Sequence, residues 1–339
     1  MLNIKKFFCT VFILLGVLLL IACTDSESND EQAEEPPAET VEDDIEESAP
    51  DDNDTEEAVA VVDDTATMQD RVGFDVIIPD EMNYIISMAP SITVTLIDLG
   101  LEDRIIAMDN QSELMLGEVD VPTFDILSPE IESMIALNPD FIFASAMMMM
   151  GDEENDPLDP LRELGIGVAY IPSSESIEGI KEDIRFIATV TDEIEAGEQL
   201  ITEMELEVAE ITALVAEVEE EPVVYFEISP APDMFSFGSG VFLHEMIELV
   251  GATNVFADLE SWLPVEAESI VSANPDVIFT NVNFIDDPVE EILSRPGWEH
   301  VDAVENERVY LLDNYDTSLP THHIVRALRA MAEYLHGVN

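Results

Sequence analysis

The chain has 339 residues, enough for two domains of ordinary size, and a formal net charge of -65 from 76 acidic and 11 basic side chains. A surface this acidic repels nucleic acid and anionic lipid headgroups, which makes both poor partners, and no nucleic acid is expected to bind. A hydrophobic content of 47% still permits real cores, so the acid excess is a matter of solubility and environment and leaves the fold open.

The amino terminus reads as a processing signal. Lys5 and Lys6 precede an apolar run from Phe7 to Ile21, short for a bilayer span, which ends Leu20-Ile21-Ala22-Cys23. Small residues before a cysteine at this place resemble the bacterial lipoprotein box. That resemblance implies a signal peptide over 1–22, lipidation of Cys23 and an anchor on the outer face of the cell membrane. Cys9 leaves with the signal, so no cysteine remains for a disulfide, a thiolate metal site or a thiol nucleophile. Residues 23–68 are dominated by Asp, Glu, Ser, Thr and Pro, and such a segment cannot bury enough apolar surface to fold. It is expected to be an acidic tether with a mean span of roughly 35–40 Å.

Two α/β domains are expected beyond it, over 69–191 and 222–339, with a linking helix over 192–221. In the first, Tyr84 to Met88 reads as a strand, and Ser91 as the N-cap of a helix from Ile92 to Leu99. Arg104 to Met108 is the next strand. Glu130 to Leu137 reads as a helix and Phe141 to Ala144 as the strand after it. A helix from Leu158 to Leu164 and a strand from Gly167 to Ile171 follow. Strands and helices alternating over short links predict a parallel sheet covered on both faces.

From Asp192 to Glu220 the apolar residues Ile194, Ile201, Met204, Val208, Ile211 and Val215 take helical spacing, with Pro222 as the stop. One helix of about 40 Å is predicted. The alternation then resumes with a strand from Val223 to Ile228, a helix from Val241 to Val250 closed by Gly251, a strand from Val309 to Leu312 and a terminal helix from Ile324 to Leu335.

An internal repeat ties the two halves together. ESMIALNPDFIF, Glu132 to Phe143, returns as ESIVSANPDVIF, Glu268 to Phe279. Each copy reads as a short helix stopped by Asn-Pro-Asp and followed by a buried strand. A unit repeated once at this distance predicts two similar lobes, with Glu132 and Glu268 at matching corners. Paired carboxylates placed this way suit a partner that is itself two-fold.

In open α/β sheets, ligands sit beyond the carboxyl ends of the strands. That rule selects Pro90, Ser91, Asn110, Gln111 and the run Met147 to Met150 from the first lobe. From the second it selects Phe235, Phe237, Trp262, Phe284, Asp313 and Tyr315. Aromatics on several loops at one sheet end suit a flat, partly apolar ligand, and thioethers such as Met148 adapt to an irregular one. The histidines, His244, His300, His322, His323 and His336, lack metal-site spacing, and no metal site is expected. Enzyme motifs are missing too. Gly238-Ser239-Gly240 lacks the spacing of a nucleophile elbow, and there is no glycine-rich phosphate loop with lysine.

The whole stretch from Arg71 to Gly337 resembles the substrate-binding lipoproteins of ABC importers for cobalamin, ferric siderophores and haem. IISMAPSITVTLIDLGLEDRIIAMD looks like that family's opening strand–helix–strand, FSFGSGVFLHEMIELVGATNVFAD like the start of its second lobe, and RPGWEHVDAVENERVYLLD like its close. The resemblance implies two α/β lobes with parallel sheets covered by helices, joined by a single long α-helix. It implies a receptor without a cofactor or catalytic role, a monomer when free, that delivers its ligand to a permease dimer and its ATPase. Glu132 and Glu268 match the family's docking glutamates. Trp262 aligns with a tryptophan lining the corrinoid cleft of cobalamin-binding members, and Phe235 with a cleft phenylalanine. Gln111 and Ile126 stand where those members carry a tyrosine and a tryptophan nearby. A corrinoid is the expected ligand, a ferric siderophore or haem the alternative. From other classes, a cell-surface hydrolase would show a catalytic dyad in the cleft, and a scaffolding lipoprotein would lack a deep cleft.

Overall fold

The computed structural model describes residues 67–117, 119–149 and 156–338. The expected signal peptide, Cys23 and Met150 lie outside the described residues, as does all of the tether but its last two positions. No helix among the described residues is long and apolar enough to cross a membrane.

The strands are β1 (Thr67–Gln69), β2 (Asp75–Ile77), β3 (Ile85–Met88), β4 (Ile105–Asp109), β5 (Thr123–Phe124), β6 (Phe141–Ser145), β7 (Gly167–Ile171), β8 (Val223–Glu227), β9 (Phe235–Phe237), β10 (Thr253–Asn254), β11 (Trp262–Pro264), β12 (Val277–Thr280) and β13 (Val309–Leu311). A parallel sheet of order β5-β4-β3-β6-β7 forms the first lobe and one of order β10-β8-β12-β13 the second. The pairs β1–β2 and β9–β11 are small antiparallel ribbons.

Both sheets are buried on two faces because their strands are apolar at consecutive positions. Successive residues of a strand point to opposite faces. Phe141 and Phe143 of β6 therefore join Ile92, Leu96 and Ile187 on one side, while Ile142 and Ala144 join Met134, Leu158 and Leu161 on the other. The second sheet repeats the arrangement, with Val224, Phe226 and Phe279 in one core and Tyr225, Ile278 and Val309 in another.

The repeat has a backbone reason. Asn138 and Asn274 adopt left-handed φ values of 50° and 49°, ending each helix so that Pro139 and Pro275 can follow. The aspartate two residues on then fastens the neighbouring strand. Asp140 accepts from the Asn83 and Tyr84 amides at 2.8 and 2.9 Å ahead of β3, and Asp276 accepts from the Val223 amide at 2.8 Å at the start of β8. Asn-Pro-Asp is thus a joint between one helix and two strands, used once per lobe.

The linking helix runs from Ile194 to Val215, 22 residues and about 33 Å, shorter than predicted. Glu217, Glu219, Glu220 and Glu221 follow its last turn, where acidic side chains oppose the helix dipole and one another. A helix over Ile177–Val190, absent from the predicted elements, packs beside it and begins at a Ser176 cap that accepts from the Gly179 amide. The two approach most closely at Gly197, where an added Cβ would lie 2.5 Å from the Ala188 Cβ. Ala196 and Leu200 of the linking helix touch the first lobe's core. Ile201, Met204, Ile211 and Val215 enter the second lobe's core together with Ile180 and Ile184. A carboxylate adds to the join, since Glu245 of the second lobe accepts from the Ile177 amide at 2.9 Å. One continuous apolar seam thus connects the lobes.

Candidate functional site

The carboxyl ends of the two sheets carry the sequence-selected residues, with differences in role. Pro90 takes the first turn of the Pro90–Asp98 helix, where its fixed φ and missing N–H fit. The N-cap is therefore Ala89, without a side-chain bond, and the expected Ser91 cap is corrected. Ser91 lies inside the first turn, half-buried, and its carbonyl accepts from the Thr95 hydroxyl at 2.9 Å. Gln111 opens the Asn110–Leu116 helix, half-buried, and its amide donates to Asp109 Oδ1 at 2.9 Å. Ala146–Met149 form one short 3-10 turn, and Met148 packs, with Met149, against the core of its own lobe.

In the second lobe Phe235 and Trp262 are half-buried, on the paired strands β9 and β11. Phe237 is 0% exposed, and the Trp262 ring covers it edge-on at 5.7 Å between centroids. The expectation that Phe237 meets a ligand is therefore corrected, because this side chain is the apolar floor on which Trp262 stands. Phe284 is half-buried, in the loop beyond β12. Asp313 is exposed and caps the Asn314–Ser318 helix, accepting from the Tyr315 and Asp316 amides at 2.9 and 3.1 Å. Tyr315 is 38% exposed, and its hydroxyl donates to the Leu114 carbonyl of the other lobe at 3.4 Å. Burial, and after it the Asp313 carboxylate, push the Tyr315 phenol above its ordinary value.

A cavity of about 310 Å³ lies at this crossing, with Val94, Met115 and Leu116 from the first lobe on one wall. Asp313, Tyr315, Asp316, Leu319, Thr321, His323 and Arg326 of the second lobe form the other. Sequence reasoning brought Asp313 and Tyr315 here and missed the rest. One signal was available, since Leu114 and Leu116 are large apolar residues in a short helix just past a strand end, and both are exposed. The wall has mixed charge. Burial and Asp313 raise the Asp316 carboxyl, while Arg326 and His323 pull it down.

The buried carboxylates are structural. Glu227, at the end of β8, is held by Arg295 through two bonds of 2.8 and 3.1 Å. Asp109, at the end of β4, is tied to the Gln111 and Ser112 amides and the Ser112 hydroxyl. Neither is free to move a proton to a ligand in the cleft.

Two of the histidines that lack metal-site spacing in the sequence are drawn into contact with the first lobe. His322 Nε2 lies 3.2 Å and His323 Nε2 3.1 Å from Asp98 Oδ2. Burial works to raise the Asp98 carboxyl, but the hydrogen bonds from both imidazoles hold it well below the usual carboxylate range.

Glu132 and Glu268 both sit in the first turn of their helices, Ile131–Ala136 and Ala267–Ala273, and both are exposed. Neither has an ion-pair partner among the described residues. A helix feeding a strand of a parallel sheet runs antiparallel to it, so both first turns lie toward the carboxyl ends of their sheets.

Against known proteins, the profile of a family described as periplasmic binding protein matches residues 85–315. The chain is 29% identical over 249 residues to an uncharacterized ABC transporter substrate-binding lipoprotein, YvrC, of Bacillus subtilis, covering 73% of this chain and 78% of that one. It is 25% identical over 260 residues to the vitamin B12-binding protein of Vibrio cholerae serotype O1, covering 76% and 90%. Among solved structures, a possible iron-binding periplasmic solute-binding protein of Staphylococcus epidermidis superposes with a TM-score of 0.66 at 26% identity, covering 76% of this chain and all of that one.

Proposed function

The chain belongs to the periplasmic binding protein family, whose members bind solutes and are not enzymes, and from that premise we propose that it is the lipid-anchored receptor of an ABC importer for a corrinoid of the cobalamin type. The observation that carries the ligand choice is the apolar and aromatic surface offered from both lobes at one end of the molecule. Tyr315 and Leu319 line one side of the cavity and Val94, Met115 and Leu116 the other, with Tyr315 reaching across to the Leu114 carbonyl, and the second lobe adds the half-buried Trp262 and Phe235 on its β9–β11 ribbon. Such faces suit a large macrocycle rimmed by amides, which needs apolar contact and a few scattered polar partners. The vitamin B12-binding relative points the same way. The cavity, about 310 Å³, is at the small end of the roughly 300–1,000 Å³ typical of ligand sites, so a macrocycle would enter it by one edge and lie mainly in the open groove.

The alternatives fit less well. Haem needs an axial ligand, and the candidates are poorly placed for it. Met148 is packed on its own lobe, the Tyr315 phenol is pushed toward its protonated form, and His323, which lines the cavity, has its Nε2 engaged by Asp98 at 3.1 Å. A strongly anionic chelate would meet Asp313 and Asp316 with Arg326 as the one arginine on the wall. Glu132 and Glu268 are the proposed contacts to the permease dimer, exposed and matched by the repeat. Cys23 is the proposed anchor.

The test uses ligands that are coloured. The full-length protein in detergent is mixed with cyanocobalamin, a ferric hydroxamate siderophore or haem, passed through a desalting column and scanned. Cyanocobalamin is expected to elute with the protein. Elution of the siderophore or haem, with cobalamin left behind, would reject the ligand while leaving the receptor reading in place.

A further inference from the structure

We propose that Asp98, His322 and His323 form a binding site for one divalent cation of the zinc class, clasping the first lobe to the second behind the cavity wall. Asp98 ends the Pro90–Asp98 helix of the first lobe, and the two histidines lead into the Ile324–His336 helix of the second. Among the described residues this is the one place where three metal-ligating groups converge, with one ligand atom from each lying within 4.8 Å of the others.

The geometry is that of a site needing little rearrangement. Tetrahedral zinc with ligands at roughly 2.0–2.2 Å holds neighbouring ligand atoms roughly 3.3–3.6 Å apart. The two Nε2 atoms stand 3.2 and 3.1 Å from the same carboxylate oxygen, each within a few tenths of an ångström of the tetrahedral spacing, and all three ligand atoms lie within 4.8 Å of one another. The imidazole rings, 4.3 Å apart and inclined at 64°, aim their Nε2 atoms at that one oxygen although they are adjacent in sequence. The ion would take the place of the Nε2–H hydrogen bonds that the carboxylate now accepts, each imidazole ligating through its Nε2 lone pair with its proton on Nδ1 and any second proton released to solvent.

The donor set selects the ion. Two imidazole nitrogens and one carboxylate oxygen suit zinc, cobalt, nickel or copper, whereas magnesium and calcium require oxygen ligands in greater number. Three protein ligands leave a fourth position, which the partial exposure of Asp98, 30% of its side chain, opens to solvent. One feature limits the affinity. His322 Nδ1 is buried with no hydrogen-bond partner, and the tautomer that coordinates through Nε2 places a proton there. Binding is therefore expected in the micromolar range, below the strength of a site with a complete outer shell. His323 also lines the cavity, so the ion would stiffen the wall against which a ligand rests.

The test is made without any organic ligand, so its outcome is independent of the corrinoid reading. Full-length protein stripped with a chelator is titrated with zinc in high salt and excess magnesium, which saturate the acidic surface. One zinc per chain is expected, magnesium should not displace it, and cobalt should give the intense visible bands of a four-coordinate site. His322→Gln with His323→Gln should remove both the stoichiometric zinc and the cobalt bands. Asp98→Asn, at an exposed helix end, is the second variant. It should weaken zinc by at least roughly ten-fold with an unchanged far-ultraviolet spectrum, and it decides the matter if the double variant does not fold. Zinc stoichiometry and cobalt bands unchanged in the folded variants would overturn the site.

Discussion

Replacing Gly197 by alanine tests the seam that holds the lobes together. In a solvent-exposed helix this change stabilises by about 0.8–1.0 kcal/mol, because glycine is the poorer helix former. At this position the new Cβ would meet the Ala188 Cβ at 2.5 Å, and both residues are buried. Carbon atoms pack at about 3.5–4.0 Å, so the helices must part by about 1 Å or more along a contact shared by both cores. Overpacking of that kind costs about 1–3 kcal/mol. The strain offsets the helix gain, leaving a net loss of about 0–2 kcal/mol, a fall in Tm of up to about 8 °C for a body of this size. Ala188→Gly in the same chain removes the opposing methyl, so the double variant should lose less than the two single losses added together. Thermal unfolding followed by circular dichroism reads all four proteins. A Gly197→Ala protein more stable than the parent by the full helix gain of about 0.8–1.0 kcal/mol would refute the close crossing, and simple additivity would show that the two methyls do not meet.

Trp262→Ala should weaken cyanocobalamin binding by about 2 kcal/mol, close to thirty-fold, because it removes an aromatic anchor and uncovers Phe237 beneath it; fluorescence titration serves for the parent and calorimetry for the variant. Glu132→Lys together with Glu268→Lys should abolish permease-dependent uptake while the affinity for ligand stays unchanged, and each change alone should do little, since exposed ion pairs contribute about 0–1 kcal/mol. Full uptake by the double variant would empty the symmetry argument. Cys23→Ser should carry no label after growth with a radioactive fatty acid, and equal label in both proteins would exclude this anchor.

The sequence was most readable where local chemistry and architecture agree. Asn138 and Asn274 stop their helices for the reason asparagine is tolerated in left-handed turns, and the apolar runs of β3, β6 and β12 are buried on both faces as parallel strands are. Less was readable where a contact depends on which of two neighbours wins a position. Pro90 took the helix start that Ser91 was expected to cap, and Trp262 covered Phe237, a residue with the same apolar signature as its half-buried neighbour Phe235. Nothing local announces contacts between the lobes. Leu114 to Leu116 face Tyr315, and Asp98 faces His322 and His323, only because the linking helix and the Ile177–Val190 helix fix one lobe against the other. The long helix itself was legible from its apolar spacing, but its end was set by the glutamates after Val215, whose charge a pattern of apolar positions does not register.

Calorimetric titration of the full-length protein with cyanocobalamin tests the account at its centre. It predicts one corrinoid bound per chain at micromolar concentration or tighter, with a negative heat-capacity change from apolar burial. No heat from cobalamin, with saturation by a ferric siderophore or haem under the same conditions, would contradict it.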